Sequence, residues 1–114
     1  MAARPVSDAN VVIHWSPGAN WKPGTIFDQD LDDHVAYLQD LYEAGVVIGA
    51  GPMTDGSAGM TRARVESDEA AQRLIDNDPA VRRGVFVGRF IRWSPLDWEA
   101  RMIQRRETPE GQDV

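Results

Sequence analysis

The sequence predicts an α+β fold of the split βαβ, or ferredoxin-like, type: four antiparallel strands in one sheet, two main helices and a helical arm at the C-terminal end. Three observations carry this expectation. The apolar period switches between two and about 3.6 residues in the order strand, helix, strand, strand, helix, strand. Glycine- and proline-containing turns fall at the switches. The last strand, Val85 to Trp93 (VFVGRFIRW), is apolar on both sides, with Val85, Val87, Ile91 and Trp93 on one face and Phe86 and Phe90 on the other. A sheet apolar on both sides needs cover on both, and this chain has helix enough for one side. A second copy of the chain is the economical cover.

Residues Asn10 to Trp15 (NVVIHW) form the first strand, Val11, Ile13 and Trp15 alternating with Val12 and His14. His14 faces away from Trp15, as a strand-end histidine satisfied by water or backbone. Ser16 to Asp30 is a long connection punctuated by Pro17, Gly18, Pro23 and Gly24. Connections of that length are often lids or binding loops. Its Trp21 and Phe27 either close over a flat ligand or tack the loop onto the core.

Leu31 to Pro52 holds the first helix and second strand. Leu31, Val35, Leu38, Leu41 and Tyr42 share an arc of roughly 120° at helical spacing, and His34 falls inside it. Asp28 or Asp30 is placed to cap the helix, and Gly45 to end it in a left-handed conformation. Val46 to Ala50 read as the second strand, closed by Gly51-Pro52 because proline offers no donor. Asp55-Gly56 signals a hairpin into a third strand, Met60 to Glu66, with Thr61, Ala63 and Val65 on one face.

Ser67 caps the second helix, whose apolar side is Ala70, Ala71, Leu74 and Ile75. It stops near Asp76-Asn77-Asp78-Pro79, because a residue before proline is pushed out of helical geometry, and AVRRG is a short turn into the last strand. Ser94-Pro95-Leu96-Asp97 opens the arm, with serine as cap and proline at the first helical position. The division expected is a tail at 1–9, the domain at 10–93, the arm at 94–106 and a frayed tail at 107–114.

Composition narrows the chemistry. The 114 residues suit one domain, and the net charge of −6 opposes nonspecific attraction to nucleic acid and anionic membranes. Cysteine is absent, which excludes disulfides, thiolate nucleophiles and cysteine-ligated metals. The N-terminal residues carry no apolar signal core and no run reaches membrane-spanning length, so a cytoplasmic protein is expected.

Several pieces in order, His34-Val35-Ala36-Tyr37-Leu38-Gln39-Asp40-Leu41-Tyr42-Glu43-Ala44-Gly45, then Gly49-Ala50-Gly51-Pro52, Glu66-Ser67-Asp68-Glu69-Ala70-Ala71 and Asp76-Asn77-Asp78-Pro79-Ala80-Val81, give the chain a resemblance to the YCII-related (YciI-like) family of the dimeric α/β barrel group over roughly Val11 to Trp93. The resemblance implies a homodimer whose two sheets pack face to face, and a histidine–aspartate active-site dyad mapping onto His34 and Asp78. One branch of that family is implicated in dehydrochlorination. The long loop before the first helix and the arm after Trp93 depart from the shortest family members.

On position alone His34 could equally be a core histidine bonded to a backbone carbonyl. With a carboxylate at one ring nitrogen it becomes a base whose other nitrogen moves a proton. Asp78 has a capping role available before Pro79, and Asp76 competes for the partnership; the resemblance, not the physics, favours Asp78. Asp76-Asn77-Asp78 is similar to a calcium loop, but Ala80 and Val81 stand where oxygen ligands and a glycine belong, and two histidines without HExxH spacing make no zinc site. No metal and no cofactor are expected. Gly49-Ala50-Gly51-Pro52 lacks a phosphate-cradling pattern and suits close approach of a ligand or partner. Arg62, Arg64, Arg89 and Arg92 either hold a carboxylate or phenolate ligand or pair with the abundant acids.

The candidate site is therefore His34 and Asp78 as the catalytic pair, with Trp21, Phe27, Gly51, Pro52 and Arg89 binding substrate. The expected activity is cofactor-free general acid/base chemistry of lyase, dehydrochlorinase or isomerase type on a small aromatic or unsaturated molecule. The alternatives are a dimeric binding or interaction module without turnover and, behind both, a cofactor-free oxygenase.

Overall fold

The computed structural model describes residues 9–107. Its sheet has the strand order β2-β3-β1-β4, every neighbouring pair antiparallel, where β1 is Val11–Pro17, β2 Val47–Pro52, β3 Gly59–Ala63 and β4 Phe86–Arg92. Helices α1 (Asp32–Glu43), α2 (Asp68–Asp76) and the single turn α3 (Pro79–Arg82) connect the strands, and α4 (Trp98–Glu107) follows. This is the predicted ferredoxin-like order, an α+β fold built on a four-stranded antiparallel sheet.

The core lies between the helices and one face of the sheet. Alternation in β1 buries Val11, Ile13 and Trp15, and these meet Leu38 of α1, Leu74 and Ile75 of α2, and Phe86. Trp15 faces Gly59 on β3 and Gly88 on β4. A Cβ at Gly88 would stand 2.7 Å from Ile75 Cγ2 and 2.9 Å from Trp15 Cζ3, so only glycine lets the indole lie across β4. The opposite face leaves Met60, Val87, Ile91 and the adjoining Trp93 exposed, with the Arg62 guanidinium 5.2 Å from the centre of the Trp93 ring.

Several local expectations shift. β2 does not close at Gly51-Pro52: Pro52 pairs with Gly59, which an edge strand permits because its missing donor faces no partner strand. β2 starts at Val47, one residue later than expected, as the Val46 N–H bonds back to the Leu41 carbonyl at 2.9 Å; a register shift lies within it between Val47 and Gly49, and β3 ends at Ala63 rather than Glu66. Gly56 has φ +75° in the turn between them and Gly45 has φ +81° after α1, both as their turns require.

Leu31 holds the cap position of α1 without a side-chain bond of its own, and it is Asp30 whose Oδ1 accepts from the first helical N–H, that of Asp32, at 3.5 Å. Asp28 instead closes a 3₁₀ turn, Ile26–Asp28, where its carboxylate accepts from the Thr25 N–H at 2.7 Å and the Thr25 hydroxyl accepts from the Phe27 N–H at 3.2 Å. That turn gives the long loop its own structure and buries Ile26. In the arm, Asp97 rather than Ser94 caps, accepting from the Ala100 N–H at 2.9 Å, and no residue of α4 is buried. Ala9, expected in a tail, is buried, while the remaining tail residues 1–8 and 108–114 lie outside the described residues. Among the described residues no helix is long and apolar enough to cross a membrane.

Candidate functional site

Asp78 sits in extended backbone between α2 and α3 because Pro79 forbids helical geometry before it. Its two carboxylate oxygens do two jobs. Oδ1 accepts from the Ala80 N–H at 2.8 Å and caps α3, while Oδ2 lies 2.5 Å from His34 Nδ1. The carboxylate is fully buried, and among the described residues it is these two groups that satisfy it. An acceptor-only carboxylate fixes the proton of neutral His34 on Nδ1. Nε2 is then the free basic atom.

His34 belongs to the first turn of α1 and its ring is held from two sides, with Trp15 at 5.2 Å and Phe86 at 5.0 Å between ring centres, both edge-on. The Arg83 guanidinium fixes the adjacent backbone: it donates to both Asp33 oxygens, at 2.9 and 2.8 Å, and to the Asp30 carbonyl at 2.8 Å. This fork joins the end of α3 to the start of α1, five residues from Asp78 on one side and one from His34 on the other. It holds the Asp33 carboxyl below its ordinary value of 3.8. Both partners are well exposed, so the fork orients more than it stabilises. Deeper in, the Tyr37 hydroxyl donates to the Leu74 carbonyl at 2.7 Å and ties α1 to α2; burial first, and the Asp78 charge second, push that phenol above its usual range.

His34 lines a cavity of about 550 Å³ between α1, the 3₁₀ turn and the β2–β3 edge of the sheet. Phe27 and Tyr42 stand at its rim, both more than half exposed, and Gly51 and Pro52 form part of the β2 wall. On the sheet side lies Thr61, fully buried, whose hydroxyl accepts from the Trp15 indole N–H at 2.8 Å.

A model of the YCII-related domain matches residues 19–94, two thirds of the chain and all of the elements that build this cavity except β1. The chain belongs to the YCII-related family. A comparison with curated proteins yields no match. Among solved structures, the chain is similar to 5-chloro-2-hydroxyhydroquinone dehydrochlorinase (TftG) from Burkholderia phenoliruptrix AC1100, determined in complex with 2,5-dihydroxybenzoquinone, with 19% identity, a TM-score of 0.52, and coverage of 74% of this chain and 93% of that one. At that identity the likeness is one of fold.

Within this YCII-related domain the structure brings together His34, Asp78, Phe27, Gly51 and Pro52 and leaves two of the expected residues elsewhere. Trp21 packs 6.0 Å from Phe86 and bonds its indole N–H to the Gly24 carbonyl, tacking the loop to the core away from the cavity. Arg89 pairs opposite His14 on the far face of the sheet. Asp76 does not reach His34: its carboxylate accepts from Gln72 Nε2 at 2.9 Å on the outside of α2. Trp15, Thr61, Phe86 and Arg83 were not singled out as site residues by the sequence. Trp15 and Thr61 share the buried phase of adjacent strands, a signal that marks core as readily as site.

Among the described residues no group of three or more histidine, aspartate or glutamate side chains could hold a metal ion. What the arrangement offers is one oriented imidazole, one buried carboxylate behind it, and an apolar chamber in front.

Proposed function

We propose that this YCII-related protein is a cofactor-free enzyme in which His34, oriented by Asp78, moves a proton on a small unsaturated or aromatic molecule bound in the adjoining cavity. The single observation that carries the reading is the buried bond from His34 Nδ1 to Asp78 Oδ2 at 2.5 Å, with the same ring lining the cavity. Unprotonated Nε2 takes a proton from a carbon or oxygen acid of the substrate. Asp78 stabilises the imidazolium that forms, and the ring returns the proton elsewhere on the molecule or to solvent. Returned to a second carbon, the proton completes an isomerisation. On a chlorinated hydroquinone the proton taken from one hydroxyl is returned to the chlorine-bearing carbon, giving a keto tautomer with a CHCl centre; loss of the second hydroxyl proton then forms the other C=O, shifts the ring double bond and expels chloride, leaving a quinone, which is a dehydrochlorination. Phe27, Gly51 and Pro52 supply the walls. The name of the structurally similar dehydrochlorinase supports choosing elimination as the first reaction to assay.

Chlorinated hydroquinones are the test substrates, with chloride release as readout. The wild-type chain is expected to release chloride, and His34→Gln to lose at least about 100-fold in rate, the lower range for a positioned acid/base group. Release untouched by His34→Gln, or no release from any member of the series, removes the catalytic reading in favour of a module that binds without turnover.

The exposed apolar side chains Val87, Ile91 and Trp93, none of which lines the cavity, with Met60 between this face and the cavity edge, support a homodimer joined through the far face of the sheet. Sedimentation of the wild-type chain is expected to give twice the 12.7 kDa chain mass, and Ile91→Asp to give the single mass by placing an unpaired charge in the seam. A wild-type monomer at tens of micromolar overturns this assembly.

A further inference from the structure

Arg83 meets both ends of the loop that carries Phe27 to the cavity rim. Its carbonyl accepts from Asn20 Nδ2 and its guanidinium donates to the Asp30 carbonyl, each at 2.8 Å, so the chain at 20 and at 30 is fastened to one residue. Between those points the loop closes on itself. The Gln29 side-chain amide accepts from the Lys22 N–H and donates to the Lys22 carbonyl, both at 2.9 Å. A compact loop with its ends held together keeps its shape as a unit. The fold makes room for the join at Gly84, where φ is +75° and a Cβ would stand 2.7 Å from Asn20 Nδ2.

The same guanidinium reaches the histidine–aspartate pair. Asp33 Oδ1 accepts from it and from the His34 backbone N–H, each at 2.8 Å. Arg83 is also tied to Asp78 through α3, where the Arg82 and Arg83 N–H groups bond to the Asp78 and Pro79 carbonyls at 3.0 Å. The path from Asp78 along α3, across Arg83 and Asp33 to the His34 backbone is thus a ring, and the bond between His34 and Asp78 is its closing link.

We infer that Arg83, acting through Asp33, is a positioning residue of this site: it sets His34 against Asp78 and keeps the Phe27 loop in register with that pair. The inference rests on the reading of His34 and Asp78 as the working pair and adds the group that holds them and the cavity rim in one geometry. The planar fork is essential to the role. Its acceptors, two Asp33 oxygens and the Asp30 carbonyl, are met together by a guanidinium and not by the single ammonium of a lysine.

Solvent exchange of two protons, read by NMR on the ligand-free chain, tests this: the His34 Nδ1 proton, and the Ile26 amide, whose bond to the Gly56 carbonyl at 2.8 Å seats the loop. Arg83→Gln keeps the backbone carbonyl for Asn20 and removes the guanidinium. Both protons are expected to exchange about fivefold faster, the most that an exposed ion pair is usually worth. Arg83→Lys should behave like Arg83→Gln, and Asp33→Ala should speed the His34 proton alike, which keeps the test open where one variant does not fold. Arg82→Gln is the control, because that arginine lies on the same turn but bonds to the Asp76 carbonyl and Asn77 Oδ1 at the end of α2. It should leave both rates at the wild-type value. Unchanged rates in Arg83→Gln, wild-type rates in Arg83→Lys, or an equal acceleration in Arg82→Gln each overturn the inference. The readout needs no substrate, so a wild-type chain without turnover removes the catalytic reading alone, and unchanged exchange beside wild-type turnover removes the role of Arg83 alone.

Discussion

Asp78→Asn is expected to leave the fold in place and abolish most of the activity. Asparagine caps a helix about as well as aspartate, so Oδ1 of the new side chain keeps its bond from the Ala80 N–H. The amide then turns its NH₂ toward His34 Nδ1, where the carboxylate Oδ2 stood. Two donors cannot face each other, so neutral His34 must present its Nδ1 lone pair and carry its proton on Nε2. The opposite amide orientation is worse, because it aims an NH₂ at the Ala80 N–H inside a site with no exposure to water. A ring protonated on Nε2 has no lone pair facing the cavity and cannot act as the base. Turnover is expected to fall by roughly 10² to 10⁴, the range for a positioned acid/base group and for a base locked in the wrong tautomer. Long-range ¹H–¹⁵N correlation of the His34 ring reads the tautomer directly. Retention of the Nδ1–H form together with wild-type turnover would show that Asp78 is a helix cap and nothing more.

The elements were legible because their signals are local. Alternation in β1 and β4, the serine cap of α2 and the proline after Asp78 each follow from a few adjacent residues, and each appears where the sequence puts it. His34 was legible as an anomaly on an apolar stripe, but its partner was not. Asp76 and Asp78 are two residues apart, and only the backbone turn at Asp78-Pro79 decides that one faces inward and the other lies outside α2. The choice therefore came from the family resemblance, and the geometry supplies its physical reason.

The rest of the site was hidden for a different cause. Thr61 and Trp15 are 46 residues apart and meet through strand register, which no periodicity reveals. Trp21 and Phe27 were indistinguishable as loop aromatics until the 3₁₀ turn at Ile26–Asp28 was in place. That turn buries Ile26, swings Phe27 to the cavity rim, and leaves Trp21 on Phe86. Arg89 shows the same limit: a strand position names two faces, and register and packing decide which one meets the ligand.

Two aromatic residues of this one cavity should consequently respond to truncation in opposite ways. Trp15→Ala is expected to cost about 3–5 kcal/mol, the range for emptying a fully packed aromatic site. The indole is 1% exposed, wedged against Gly88 and edge-on to His34, and its N–H bond to Thr61 goes with it. The strands on either side carry glycines opposite it, so neither cross-strand partner has a side chain with which to fill the space. For a domain of this size the thermal midpoint should fall by at least about 12 °C. Phe27→Ala removes a ring that is 68% exposed, and its stability change should stay within about 0.5 kcal/mol. Its effect belongs to the ligand: the rim loses its aromatic wall, and affinity for a neutral apolar probe such as 2-isopropylnaphthalene, read by NMR titration of the His34 ring protons, should fall about tenfold, in line with the loss of a few buried methylene equivalents. Calorimetric melting of both variants beside that titration separates the roles. If Phe27→Ala melts as early as Trp15→Ala, the loop is core rather than ligand wall, and the cavity rim assigned to it must be redrawn around Tyr42 and β2.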